Sequence, residues 1–86
     1  MEQVHEKTVK RYCLAAIQDG YCWYLQSLGQ DKGFNLVTDI EQATKAATKS
    51  VAKYLREVYE YELGNNAYQL IIIPLIIDYS LVKEID

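Results

Sequence analysis

The sequence predicts an α+β fold, a small antiparallel ββαβ sheet with one helix packed on one face and an Ile-rich last strand. Three observations lead to this prediction. Two strand-like segments flank Asp19-Gly20, helical periodicity fills the middle of the chain, and residues 70–77 are an apolar run interrupted only by Pro74. Ile-rich runs favour strands because a branched β-carbon fits a pleated surface and loses rotamer freedom in a helix.

Length and composition indicate one domain, residues 1–86, with residues 1–8 as a flexible arm. Half of the residues are hydrophobic and the net charge is −3, which is too mild for a nucleic-acid-coating protein or a DNA mimic. Residues 70–77 are too few to cross a membrane, and the first residues lack a signal-peptide core. We therefore expect a cytoplasmic protein.

The first two strands, residues 9–18 and 21–28, are predicted to form a hairpin. Asp-Gly suits the two positive-φ positions of a type I′ turn. The resulting register pairs Ile17 with Cys22 and Cys13 with Gln26. Cys13 and Cys22 then share a face at a separation of about 13 Å from strand rise alone, too far for a disulfide. We interpret both as buried small hydrophobic residues.

The helix is predicted to begin at the capping-box pattern Thr38-Asp-Ile-Glu41 and to end at 63–66, where Gly and Asn suit a C-terminal cap. A break near residues 44–48 is the alternative, with Thr48 capping a second helix. Apolar residues recur at helical spacing. They are Ile40, Ala43, Ala47, Val51, Tyr54, Leu55, Val58 and Tyr61.

The last strand is predicted from about residue 68 to 82. Pro74 cannot donate a ladder hydrogen bond, so it marks an edge position or a bulge. One helix covers only one face of such a sheet, and the other face is also apolar. We therefore expect a homodimer, formed through the exposed sheet face or the edge of the last strand, with Ile72 and Ile76 as candidate contacts.

The order of these parts resembles small uncharacterised proteins of bacteriophages and prophages of Gram-positive bacteria. The resemblance covers about residues 10–80. It depends on an aromatic-rich hairpin, on Asp-Ile-Glu-Gln-Ala-Thr at 39–44, on Ala-Thr-Lys-Ser-Val-Ala at 47–52, and on an Ile-rich strand with a proline. It implies a small, host-directed accessory protein without inherited catalytic residues.

Residues for catalysis or metal binding are sparse. The single histidine, His5, lies in the polar N-terminal arm without a companion ligand, and no phosphate-cradling glycine loop occurs. Nucleophilic catalysis needs a general base within hydrogen-bond reach of the nucleophile. We expect neither enzymatic activity nor a cofactor.

Two helix surfaces are candidate binding sites. A basic stripe, Lys45, Lys49, Lys53 and Arg56, could follow a nucleic-acid backbone or could be an ordinary solvent face with i,i+4 partners. The chain also has eight tyrosines, a residue enriched at interfaces. An acidic and aromatic helix end could receive a basic protein surface, or its tyrosines could simply flank the core. Its candidate partner-binding residues are Tyr54, Glu57, Tyr59, Glu60 and Tyr61.

The sequence thus favours a non-enzymatic protein–protein interaction module, a phage accessory protein that binds or inhibits a host component. The first alternative is a nucleic-acid-associated protein that uses the basic stripe. The second is a virion assembly protein.

Overall fold

The computed structural model describes the backbone of residues 2–83 and the side chains of residues 7–79. Four strands form one antiparallel sheet in the order β3-β2-β1-β4. The predicted α+β class is confirmed, and β3 makes the sheet four-stranded. The elements are β1 (Glu2–Gln18), β2 (Tyr21–Ser27), β3 (Phe34–Val37), a 3-10 turn (Ile40–Gln42), α1 (Lys49–Leu63), a second 3-10 turn (Gly64–Asn66) and β4 (Ile71–Lys83).

The β1–β2 hairpin has the predicted turn. Asp19 and Gly20 have φ values of 52° and 80°, as a type I′ turn requires, and Ile17 pairs with Cys22. The pairing ends at Ala15 and Tyr24, so the predicted Cys13–Gln26 pair is wrong.

The strands β1 and β2 separate there because the segment before α1 enters between them. The Tyr12 N–H donates to Ala46 O at 2.9 Å, and the Ala46 N–H donates to Tyr12 O at 2.7 Å. The Thr44 N–H donates to Leu25 O at 3.0 Å. These bonds satisfy strand groups that the hairpin itself leaves open.

Beyond this wedge, β1 and β4 continue alone as a two-stranded ribbon. The register runs through Thr8–Asp78, and the Thr8 hydroxyl donates to the Asp78 carboxylate at 2.9 Å. Residues 2–8 therefore belong to β1 and are not the expected flexible arm. The side chain of His5 lies outside the described side chains. The ribbon lengthens the molecule to 55 Å.

The helix begins later than the capping box predicts. The Asp39 carboxylate accepts from Glu41 N at 2.9 Å and caps only the short 3-10 turn. The Thr48 hydroxyl accepts from Val51 N at 3.2 Å and caps α1, which confirms the alternative start. The predicted end is correct, because α1 stops at Leu63 and Gly64 follows with φ of 56°.

The buried stripe of α1 is one residue away from the predicted one. Ala52 and Tyr59 are buried, whereas Val51, Tyr54 and Tyr61 are exposed. Apolar residues fill two adjacent stripes of this helix, so periodicity alone does not decide between them. The core beneath α1 contains Leu14, Ala16, Leu25, Tyr59 and Leu70, with Phe34, Leu36, Leu55, Leu63, Ala67 and Ile72 packed against it.

Pro74 lies in the outermost strand, with an unbroken register opposite Tyr12. The Tyr12 N–H and C=O both bond to Ala46 on the far side of β1. Facing residues of antiparallel strands alternate between hydrogen-bonded and non-hydrogen-bonded pairs. Tyr12 and Pro74 therefore form a non-hydrogen-bonded pair. The nitrogen of Pro74 therefore faces the free edge, where a missing donor breaks no ladder bond. The edge position is confirmed and a bulge at Pro74 is excluded.

The two candidate dimer contacts differ in burial. Ile72 is partly buried and packs against the core beneath α1, and its role as a dimer contact stays a prediction. Ile76 is 63% exposed, on the same face of β4 as Ile72. Alternation places both on the side of the helix, away from the uncovered sheet face.

Candidate functional site

A groove lies between the β2–β3 loop and the outer side of α1. Its volume is about 450 Å³, within the range of ligand and peptide pockets. Five lining residues come from the strand end and loop: Ser27, Gly29, Gln30, Asp31 and Gly33. Phe34 and four helix residues, Tyr54, Leu55, Val58 and Glu62, complete it. We call it the helix–loop groove.

The loop wall of the groove is held by its own backbone bonds. The Leu28 N–H donates to Gly33 O at 3.0 Å, and the Lys32 N–H donates to Gly29 O at 3.2 Å. Gly29, Asp31 and Gly33 all have positive φ, which glycine adopts freely and aspartate tolerates. The glycines at both ends therefore let the chain reverse tightly and place Asp31 at the groove.

The floor of the groove is continuous with the core. Phe34 and Leu55 line it and also pack against the buried cluster. The Phe34 ring meets the Tyr59 ring edge-on, with centroids 5.6 Å apart. Side chains locked by core packing keep a binding surface preorganised, so little ordering is needed when a ligand binds.

The rim of the groove is acidic. Asp31 lies on the loop side and Glu62 on the helix side, and both are exposed. Glu62 also lies in the last turn of α1, which contains no basic residue, at the negative end of the helix dipole. Tyr54, 64% exposed, adds an aromatic wall that suits an aliphatic stem or a cation. The groove is therefore complementary to a basic side chain.

Only some residues of the predicted acidic and aromatic helix end lie at or beside the groove. Tyr54 lines the groove, and Glu57 and Tyr61 follow it on the same exposed side of α1 at spacings of three and seven. Glu60 is exposed but does not line the groove. Tyr59 is a correction: its side chain is 3% exposed and belongs to the core, so it cannot present itself to a partner.

The predicted basic stripe is formed only in part on α1. Lys45 precedes α1, and its ammonium group donates to the carbonyls of Ile40, Glu41 and Ala43 at 2.9–3.1 Å. The Arg56 guanidinium donates to Leu70 O at 3.3 Å. Only Lys49 and Lys53 remain as exposed helix lysines of the predicted set. Two of the four cations are therefore held by backbone carbonyls and are less free to contact a phosphate, which weakens the nucleic-acid alternative.

Of the residues that line the groove, only Tyr54 is among the candidates that the sequence indicates, and Asp31, Phe34 and Val58 are among those that it misses. The segment Gly29-Gln-Asp-Lys-Gly33 has the composition of an ordinary loop. Its two glycines, which bracket an aspartate before an aromatic residue, were the available signal for a tightly folded loop. Nothing in the spacing indicates that this loop lies beside the helix end.

The cysteines lie apart from the groove. Cys13 is buried and Cys22 partly exposed, and both thiols are free. Burial raises the pKa of the Cys13 thiol, although the nearby positive charge of Lys45 opposes the shift. A buried thiol with a raised pKa is a poor nucleophile. Within residues 7–79, His, Cys, Asp and Glu side chains form no group of three that could hold a metal ion.

Among the helices that the structure describes, none has the length and apolar character needed to cross a membrane. Comparisons with protein families, with curated proteins and with solved structures gave no match. The helix–loop groove is therefore interpreted from its own geometry and charge.

Proposed function

We propose that this chain is a non-enzymatic protein–protein interaction module that binds a basic segment of a partner protein in the helix–loop groove. The observation that supports this proposal is the combination of an apolar floor, an exposed Tyr54 and an acidic rim in one cavity of about 450 Å³. A lysine or arginine side chain fits such a site because its stem packs on apolar surface while its charge meets carboxylates.

The contact chemistry favours a protein segment over a small ion. The groove is open, and its floor is made by Phe34, Leu55 and Val58, which need an apolar ligand surface. Glu57 and Tyr61 extend the exposed acidic and aromatic surface along α1 beyond the groove itself. Interfaces typically combine such an aromatic anchor with a charged rim.

The biological setting is part of the proposal. The resemblance to small phage and prophage proteins of Gram-positive bacteria implies that the partner is a host component, bound or inhibited by this chain in the host cell. A host protein with an exposed lysine- or arginine-rich segment is the partner that the groove chemistry favours. Lys49 and Lys53 give the nucleic-acid alternative a smaller surface to use.

Pull-down of the tagged protein from a bacterial host lysate, with and without nuclease, tests the proposal. We expect one dominant captured protein that resists nuclease. Tyr54→Ala and Glu62→Lys are expected to abolish its capture, because the first removes the aromatic wall and the second places a positive charge at the rim. Rising salt should weaken capture, since the rim contact is electrostatic and exposed.

Glu60→Lys is the matched control. It makes the same charge change two residues away on the same helix, outside the groove. If Glu60→Lys abolishes capture as completely as Glu62→Lys, general charge and not the groove determines binding. Capture that disappears with nuclease and with Lys49→Glu plus Lys53→Glu would instead support nucleic-acid association.

A further inference from the structure

The face of the sheet opposite α1 has an apolar column that the chain covers only in part: Cys13 and Ala15 of β1 are buried there, whereas its other apolar members are exposed or partly exposed. Facing residues of antiparallel strands share a side, so this column combines β4 with its β1 partners. We call it the open face. Its members are Ile71, Ile73, Leu75 and Ile77 of β4 with Val9 and Ile17 of β1. Ile17 is 60% and Ile71 44% exposed, and the other four are partly exposed.

The open face carries more apolar side chains than the other side of the same ribbon. The helix side of the ribbon carries the Thr8–Asp78 hydrogen bond, and Lys10 lies over the Tyr12 ring at 5.6 Å. Polar side chains therefore occupy much of that side, and Ile76 is an exposed apolar residue on it. A two-stranded ribbon is only marginally stable in water, and an apolar face on it favours further association.

Both free edges of the ribbon are protected against strand pairing. On β4, Pro74 directs its ring nitrogen outward and leaves no donor at that position. On β1, Lys10 O points to the same side as the Tyr12 groups, because alternate residues of a strand face one way, and the Arg11 guanidinium donates to it at 2.9 Å. Proline and charged side chains at an edge oppose the addition of another strand. The open face is therefore the surface through which the ribbon can associate with a partner.

The amount of exposed surface fits a second copy of this chain. The molecule exposes 6631 Å², whereas a compact protein of this mass exposes about 5,200 Å². The radius of gyration is 16.1 Å, against about 12 Å for a compact chain of this length. A pair that buried this excess of roughly 1,400 Å² per copy would bury roughly 2,800 Å² in total, an area within the range of obligate homodimers.

We propose that two copies associate through their open faces, sheet against sheet, with the helices outward and the two ribbons pointing in opposite directions. The open side of the described strands carries no acidic residue, but it carries Lys7 toward the outer part of the ribbon and Arg11 opposite Leu75, within the column. Parallel ribbons would bring the two Lys7 charges together, whereas opposed ribbons separate them. The dimer leaves the helix–loop groove free, since α1 lies on the other side of the sheet.

Light scattering coupled to size-exclusion chromatography tests the dimer on the purified full chain. We expect a mass of twice 9.9 kDa. Ile77→Glu should raise the dissociation constant by at least about 30-fold, as loss of a central interface contact does. The matched control is Ile76→Glu, adjacent on β4 but on the helix side, which should remain dimeric.

A wild-type protein that stays monomeric at about 200 µM, a concentration on the order of 10⁻⁴ M, would overturn the inference. So would a dimer that resists Ile77→Glu, or one that Ile76→Glu also dissociates. If the circular dichroism spectrum shows that Ile77→Glu does not fold, Tyr79→Glu repeats the test. Tyr79 lies on the same face and is 53% exposed. Partner capture reports separately on the groove, because Glu62→Lys should leave the dimer mass unchanged.

Discussion

The hydroxyl of Tyr59 accepts a hydrogen bond from the backbone N–H of Tyr68 at 3.0 Å. This bond joins the last turns of α1 to the chain that enters β4. The Tyr59 ring meanwhile packs edge-on against Phe34, beneath the helix–loop groove. One residue thus fixes the helix end, the approach to the last strand and the floor of the candidate site.

Removing the Tyr59 hydroxyl should therefore destabilise the fold without changing the shape of the core. We expect Tyr59→Phe to lower the free energy of unfolding by about 1 kcal/mol, the usual net contribution of a hydrogen bond. Tyr59→Ala should cost about 3–5 kcal/mol because it also leaves a cavity. Urea denaturation followed by circular dichroism measures both. Tyr61→Phe, at a 90% exposed position, is the control and should change little.

Thr48 should contribute to stability as the N-cap of α1, because its hydroxyl satisfies the Val51 N–H. Thr48→Ala is expected to cost about 1 kcal/mol of unfolding free energy. Thr38→Ala is the informative comparison, since the capping box was predicted there and the structure gives the 3-10 cap to Asp39. Equal losses from the two variants in thermal unfolding would contradict this assignment of the helix start.

Gly20 should be required for its backbone conformation alone. Its φ is 80°, and a Cβ placed on it meets no atom within 4 Å. Gly20→Ala should therefore cost about 1–2 kcal/mol, the penalty for a left-handed residue with a side chain. Asp19→Asn is the control, because asparagine tolerates the same region. A neutral Gly20→Ala in chemical denaturation would show that the turn readily adopts another conformation.

The two cysteines should react at different rates. Cys13 is 1% exposed and its pKa is raised by burial, so its thiolate is scarce and shielded. A thiol reagent at pH 8 should modify Cys22 quickly and Cys13 slowly, and Cys22→Ser should remove the fast phase. Two equally fast thiols in the folded protein would contradict the burial of Cys13.

The raised pKa of Cys13 also predicts the direction of a pH effect. The folded state holds this proton more tightly than the unfolded state, whose thiol has an ordinary pKa of 9.0. The stabilisation is complete below pH 9 and is lost as the pH rises from there through the folded pKa. Chemical denaturation at pH 8 and above pH 9 should show this loss in the wild type and a smaller loss in Cys13→Ala.

Pro74 should protect the free edge of β4. Pro74→Val adds an outward N–H to an Ile-rich edge strand, so we expect species larger than a dimer in light scattering at high concentration. Ile76→Val alters the same edge without adding a donor and should not produce them. An unchanged mass distribution for Pro74→Val would show that other features protect this edge.

Local chemistry made the hairpin turn, the end of α1 and the edge position of Pro74 predictable from sequence. Asp19-Gly20 has few conformations open to it other than a tight turn, and Gly64 ends a helix at low cost. A proline in an apolar strand can lie only where no donor is needed. Each of these features depends on the backbone limits of one or two residues.

The start of α1 and its buried stripe could not be predicted from sequence because each had two candidate positions. Thr38 and Thr48 both resemble caps, and apolar residues fill both the Val51 stripe and the Ala52 stripe. The wedge at Ala46 decides the first by holding the preceding chain between β1 and β2. The fit of Tyr59 against Phe34 and Tyr68 decides the second.

The sequence by itself determined the fold class, the hairpin turn and an apolar surplus greater than one helix can cover. Only the tertiary structure decided where that surplus lies, because the side of each strand that α1 occupies depends on packing between distant segments. It also brought Asp31 and Glu62 to the same groove although 31 positions separate them in the chain. Composition and periodicity are properties of neighbouring residues, whereas a binding surface is made by residues that only folding brings together.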